Sequence, residues 1–102
     1  MGYVYLLRDN DVYKIGVTRN NNSKRIMQLQ TGNSNKIELV DMYETEYPFR
    51  LETMLHNHYK NQLVRGEWYN IYDVDEYKRI VELFNKNIIA LKDNPFFSKN
   101  LK

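Results

Sequence analysis

Two cations, Lys24 and Arg25, directly follow Asn22 and Ser23, residue types that cap helix N-termini. Cations in a first helical turn oppose the macrodipole by about 0.3–1 kcal/mol, so this pair is an unfavourable local choice. A phosphate bound at the same turn reverses the sign, because free N–H groups and a planar guanidinium together make an anion site. Residues 12–37 carry five cations, Lys14, Arg19, Lys24, Arg25 and Lys36, and no acid. Residues 38–52 carry five acids, Glu38, Asp41, Glu44, Glu46 and Glu52, against Arg50 alone. The first run suits contact with phosphates and the second could hold a metal, although solvated faces are the ordinary origin of such runs. A Gly-rich phosphate loop, paired metal-binding histidines and a Ser-His-Asp arrangement do not appear in the sequence. Nucleotide hydrolases, zinc enzymes and serine hydrolases are thereby disfavoured.

These side chains need elements to position them. Tyr3-Val4-Tyr5-Leu6-Leu7 and Val12-Tyr13-Lys14-Ile15-Gly16-Val17 are rich in aromatic and β-branched residues, with turn chemistry in Arg8-Asp9-Asn10-Asp11 between them, so a β-hairpin opens the chain. Residues 23–30 suit a short amphipathic helix ended by Thr31-Gly32-Asn33, and residues 36–44 a third strand containing a bulge. Pro48 opens a helix over 47–62 with Phe49, Leu51, Met54, Leu55 and Tyr59 on its apolar positions, which puts Glu52 and His56 on one face. Residues 66–71 read as a short extended segment. Asp73 with Glu76 is a helix-start signal for a last helix to about Leu91, whose stripe of Ile80, Val81, Leu83, Phe84, Ile88 and Leu91 belongs in the core; Asn94-Pro95 stops it. The fold class is α+β: an antiparallel sheet of about three strands flanked by helices, with an extra C-terminal helix. Residues 1–72 form the core and residues 73–102 a helix and short tail packed on the same single domain.

Length and composition agree. One hundred and two residues, 42% hydrophobic and 27% charged, fit one domain. The absence of cysteine excludes disulfides, thiolate zinc clusters and a cysteine nucleophile. The longest uninterrupted apolar stretch, residues 3–7, is far below the roughly 20 residues of a membrane-spanning helix, and no leader precedes it, so an intracellular, soluble protein without a membrane partner is expected. A formal charge of +2 is too small to indicate nucleic-acid binding by itself, so the charge distribution carries that argument.

Across about residues 2–71 the order of motifs resembles the GIY-YIG nuclease superfamily: Tyr3-Val4-Tyr5 and Lys14-Ile15-Gly16 on a hairpin, Arg25 on a helix, Glu52 on a second helix. It is most similar to a small branch with Tyr-Lys-Ile-Gly, Leu-Glu-x-x-Leu-His and Gly-Glu-Trp-aromatic motifs, which here are residues 13–16, 51–56 and 66–69. The resemblance implies a metal-dependent endonuclease hydrolysing phosphodiester bonds in DNA. Tyr5 takes the position of the family's general-base tyrosine, Arg25 and Lys14 those of groups on the reacting phosphate, and Glu52 that of the ligand to one Mg²⁺ or Mn²⁺.

Phosphodiester hydrolysis needs a base for water, positive charge on the phosphorane and relief for the leaving oxygen. One carboxylate serves the last need by holding a divalent ion that keeps phosphate oxygens and waters as its other ligands. A phenol with a pKa of about 10 is a poor base at neutral pH, and Lys14 and Arg25 are expected to lower that of Tyr5 by placing positive charge nearby. The commonest members carry tyrosine where this chain has Lys14; on a strand, the one-residue displacement to Tyr13 reverses the face. That departure motivates the alternative of a catalytically weak or inactive nucleic-acid-binding module. Tyr13, Arg19, Lys24, His56 and Asn70 complete the set as candidate substrate-binding residues. For His56 two readings stand, contact with metal or substrate, or a structural hydrogen bond; Asn70 resembles a late asparagine that braces the site, and Glu67 orients a neighbour. A domain this small has little surface for reading a long site, so specificity is low or comes from a homodimer or a specificity partner.

Overall fold

The computed structural model describes residues 1–19, 26 and 37–92. Strands β1 (Gly2–Asp9) and β2 (Val12–Thr18) form the expected hairpin, paired from Tyr3↔Thr18 to Asp9↔Val12. Its two-residue loop starts at Asn10, whose φ of 54° lies in the left-handed region that asparagine tolerates better than most residues. Strand β3 (Glu38–Thr45) pairs with the outer side of β1. Its register passes from Leu6↔Asp41 to Leu7↔Leu39, so Val40 is the extra residue of the anticipated bulge.

The sheet has five strands rather than about three, all antiparallel, in the order β3-β1-β2-β5-β4. The additional pair is β4 (Leu63–Arg65) and β5 (Trp68–Tyr69), a hairpin around Gly66-Glu67. Gly66 has φ +52° at the first loop position, a conformation that glycine adopts without steric cost. The expected extended segment contains β5, whereas Leu63, Val64 and Arg65 are all exposed and carry no alternation that would mark a strand.

Helix α1 (Pro48–His58) is shorter than the expected 47–62, and the chain continues as a 3₁₀ turn, Lys60–Gln62. Thr45 anchors its start, accepting from the Tyr47 N–H at 3.0 Å while its hydroxyl donates to Asn85 of the last helix. That last helix, α2 (Val74–Lys92), opens with the anticipated cap: the Glu76 N–H donates to Asp73 Oδ1 at 3.1 Å. Its apolar stripe runs through Tyr77, Val81 and Ile88, with Ile80 and Phe84 against it. Leu83, placed in the core by the sequence reading, is 54% exposed, because two residues from Val81 turn a helical side chain by about 200°. Leu91, in the last turn, is 36% exposed.

Two cores lie on opposite faces of the sheet, as strand alternation dictates. Val4, Leu6 and Ile15 meet Leu51 and Leu55 of α1 and Tyr77, Val81 and Ile88 of α2 on one face. Leu7 meets Ile26, which is helical, and Ile37 on the other, with Tyr5, Met42 and Trp68 beside them. The expected helix over 23–30 lies otherwise outside the described residues, as do Asn94-Pro95 and the tail. Among the described residues no helix is long and apolar enough to cross a membrane.

Candidate active site

Strand β2 has β1 along its whole length on one side and β5 on the other only through Tyr13↔Tyr69 and Lys14↔Trp68. The last tie on that side is the Ile15 N–H donating to the Glu67 carbonyl at 3.3 Å. Beyond it, α1 lines the edge of β2. His56 Nε2 lies 2.9 Å from the Ile15 carbonyl oxygen. A Cβ on Gly2 would meet both Pro48 and the Thr18 carbonyl, so the first turn of α1 sits at the far end of β2. The helix thus follows the strand edge in the opposite direction, His56 near Ile15 and Pro48 near Thr18.

The side chains gather where β5 gives way to α1. Strand parity separates Tyr13, packed against the main core, from Lys14, whose cross-strand neighbours Leu7 and Trp68 belong to the other face. Lys14 Nζ lies 4.0 Å from Glu67 Oε2. Tyr5, two residues before Leu7, lies across Gly16: a Cβ there would fall 2.8 Å from Tyr5 Cε1 and closer still to Cζ and the hydroxyl. Only glycine gives the phenol this place. Glu52 Oε2 reaches within 3.9 Å of His56 Nε2, and the His56 ring lies 5.4 Å from that of Tyr69. Glu52, His56 and Glu67 each bring a ligand atom within 4.8 Å of the others.

Electrostatics overturn one expectation. The Tyr5 phenol is pushed up from its ordinary value, first by burial and then by the carboxylates of Glu67 and Glu52. The sequence reading set Lys14, across the hairpin, and Arg25 beside it to lower this value; burial and the two acids set the opposite direction, and Arg25 lies outside the described residues. At neutral pH this phenol is protonated and therefore a hydrogen-bond donor. Glu52 is also shifted up: burial dominates, His56 opposes, Glu67 adds to the rise and Lys14 opposes again. Tyr69 moves the same way through burial, Glu67 and Glu52.

Among the described residues the group Glu52, His56 and Glu67 has the donor types for a divalent cation. Two of its three members are carboxylates, the oxygen-donor type that hard divalent ions take. A carbonyl only accepts, so His56 Nε2 carries a proton toward Ile15 and any lone pair of the neutral ring is on Nδ1. His56 is in this respect a tie between α1 and β2.

The remaining candidates are placed elsewhere. Asn70 is bound on both sides to Gln62, its N–H donating to the Gln62 carbonyl and its own carbonyl accepting from Gln62 Nε2, each at 2.9 Å. Arg19 stands past the end of β2, lining a cavity with Pro48 and Phe49. Lys24 and Arg25 lie outside the described residues. Glu67 enters the cluster although its motif pointed only to an orienting part; the Gly66-Glu67 dipeptide ahead of Trp68-Tyr69 is the hairpin signal that could have located it beside β2.

No curated protein and no solved structure gives a significant match to this chain. A family model does match, described as the T5orf172 domain and aligned over residues 2–85, from the first residue of β1 into α2. The alignment spans both the β2 edge and the residues gathered there, and on that extent the chain belongs to the T5orf172 domain family, a nuclease-associated family.

Proposed function

We propose that this domain is a metal-dependent endonuclease that hydrolyses phosphodiester bonds in DNA. The observation that carries the reading is the meeting of Tyr5, Lys14, Glu52, His56 and Glu67, from β1, β2, α1 and the β4–β5 turn, at the point where β2 loses its strand partner. The nuclease association of the family supports it.

Glu52, the less exposed carboxylate, would hold one Mg²⁺ or Mn²⁺, and the ion when bound supplies Lewis-acid charge to the phosphate and to the departing oxygen. Lys14 adds fixed positive charge beside the phosphate, and in the resting site it balances Glu67. Tyr5, kept protonated by burial and by the two acids, donates a hydrogen bond to a non-bridging phosphate oxygen. Glu67, 48% exposed, is the carboxylate open to water and takes the proton of the attacking molecule. His56 fixes the separation of α1 and β2 and so the position of Glu52. Arg25 supplies a further phosphate contact on the sequence argument given above.

A second reading, a nucleic-acid-binding module with weak or no cutting, is favoured by the upward shift of Tyr5 and by Lys14 in place of the family's usual tyrosine. Nicking of supercoiled plasmid separates the two. Parent protein, Glu52→Ala and Tyr5→Phe, each checked for folding by circular dichroism, are incubated with Mg²⁺, Mn²⁺ or chelator. Metal-dependent nicking by the parent, abolished in Glu52→Ala, supports the endonuclease. Plasmid bound with a steep salt dependence and left uncut with both ions identifies the binding module.

A further inference from the structure

Phe49 was expected in the core with the other apolar residues of α1, yet it is 51% exposed. Leu51 and Leu55 define the buried line of that helix. Phe49, Glu52 and His56, at spacings of three and four, fall together on an adjoining stripe. Because α1 follows the β2 edge in reverse, the stripe runs from His56 at Ile15, past Glu52, to Phe49 beside the end of β2. A cavity of about 270 Å³ opens there, lined by Met1, Arg19, Glu46, Tyr47, Pro48 and Phe49. Half-exposed Phe49 and the cationic residue Arg19 both line it. The charge of Glu46 is met by Lys92, 3.7 Å away.

We propose that this cavity is a nucleobase subsite, in which one unstacked base of the bound strand lies against Phe49 and Arg19 while the adjoining phosphate reaches the Glu52 cluster. The inference rests on the endonuclease reading for which phosphate is cut, but the binding it describes does not require cutting. Three residues of helix separate Phe49 from Glu52 by about 4.5 Å along the axis, the scale of a single nucleotide step. A volume of this size accommodates a nucleobase. An aromatic face beside an arginine is the combination on which bases stack irrespective of sequence. Exposed Tyr72 also lines a cavity, but its walls include the acids Asp73 and Glu76, which oppose a phosphate.

The test is fluorescence anisotropy with a dye-labelled single-stranded oligonucleotide in chelator, beside the same strand built from tetrahydrofuran abasic units. Parent, Phe49→Ala, Phe49→Leu and Phe49→Tyr are compared after circular dichroism shows each to be folded. Loss of one stacked base weakens binding by about 5- to 150-fold. That loss is expected for Phe49→Ala and Phe49→Leu on the natural strand, with Phe49→Tyr close to the parent and all four proteins alike on the abasic strand. Phe49→Ala binding the natural strand as the parent does, an equal loss on both strands, or no binding by the parent would each overturn the subsite. If the Phe49 pattern appears while plasmid stays intact with Mg²⁺ and Mn²⁺, the endonuclease reading fails and the subsite stands.

Discussion

The imidazole of His56 donates from Nε2 to the carbonyl of Ile15 at 2.9 Å, joining α1 to β2 at the residue where β2 makes its last contact with the β4–β5 turn. Ile15 is held through both of its backbone groups, its N–H by the Glu67 carbonyl and its carbonyl by His56. Removing the imidazole leaves a partly buried acceptor unpaired, which costs about 1–3 kcal/mol. His56→Ala is expected to lower the unfolding free energy by that amount, read as a lower urea midpoint at unchanged m-value. His56→Gln, whose side-chain amide can donate to the same oxygen, recovers part of the loss; equal destabilisation by both variants would show that the hydrogen bond is not what the histidine contributes.

Gly16 should be more sensitive in activity than in stability. A methyl group there meets the Tyr5 ring, the movable end of a side chain, rather than backbone. Gly16→Ala therefore displaces the phenol at a cost of about 1–3 kcal/mol typical of overpacking. Nicking should fall as far as it does in Tyr5→Phe, while the circular dichroism spectrum stays that of the parent. A variant that cuts at the parental rate would remove Tyr5 from the reaction.

Metal binding can be read without activity. A ligand that binds only the folded state raises stability by RT ln(1 + [L]/Kd), about 2.7 kcal/mol at one hundred times Kd. Adding Mn²⁺ or Mg²⁺ is expected to raise the Tm of the parent and chelator to return it. Glu52→Ala abolishes the rise and Glu67→Gln reduces it, since the two carboxylates belong to one group. An undiminished rise in Glu52→Ala would place the ion elsewhere.

How much of this was legible follows the range of the interactions involved. The first hairpin was readable because aromatic and β-branched runs flank turn residues locally, and Asp73 announced α2 through a bond to Glu76 three residues on. Glu52 and His56 share a helix face by spacing alone. Strand β4 was not readable: three exposed residues at a sheet edge have no buried side to impose alternation. The environment of Tyr5 was misread for a different reason. Lys14 and Arg25 are near it in sequence order, but Glu67 arrives from a turn more than sixty positions away, and only the pairing of β5 with β2 brings it there. Phe49 fitted the apolar count of α1 and still faces out, since the buried line of that helix passes through Leu51 and Leu55.

The interior phenols give a prediction with a defined sign. Tyr77 is fully buried with no hydrogen-bond partner for its hydroxyl among the described residues, and Tyr59 is 5% exposed beside it, the rings 6.1 Å apart. Burial pushes the Tyr59 phenol up to about 12, with Glu76 and Asp73 adding to the rise, and pushes Tyr77 up further, with Asp41 and Tyr59 adding. A folded pKa above the unfolded value of about 10 means that the native state binds the proton more tightly. The corresponding stability is complete below about pH 10 and is lost as pH rises through about 12 for Tyr59 and beyond for Tyr77. Urea unfolding at a series of pH values should therefore show a falling alkaline limb, and Tyr59→Phe combined with Tyr77→Phe should flatten it. At neutral pH Tyr77→Phe removes an unsatisfied buried hydroxyl without changing the ring, and the expected gain is about 1–3 kcal/mol. A loss of stability instead would mean that the hydroxyl has a partner in solution, and an alkaline limb unchanged in the double variant would place the titrating groups outside this core.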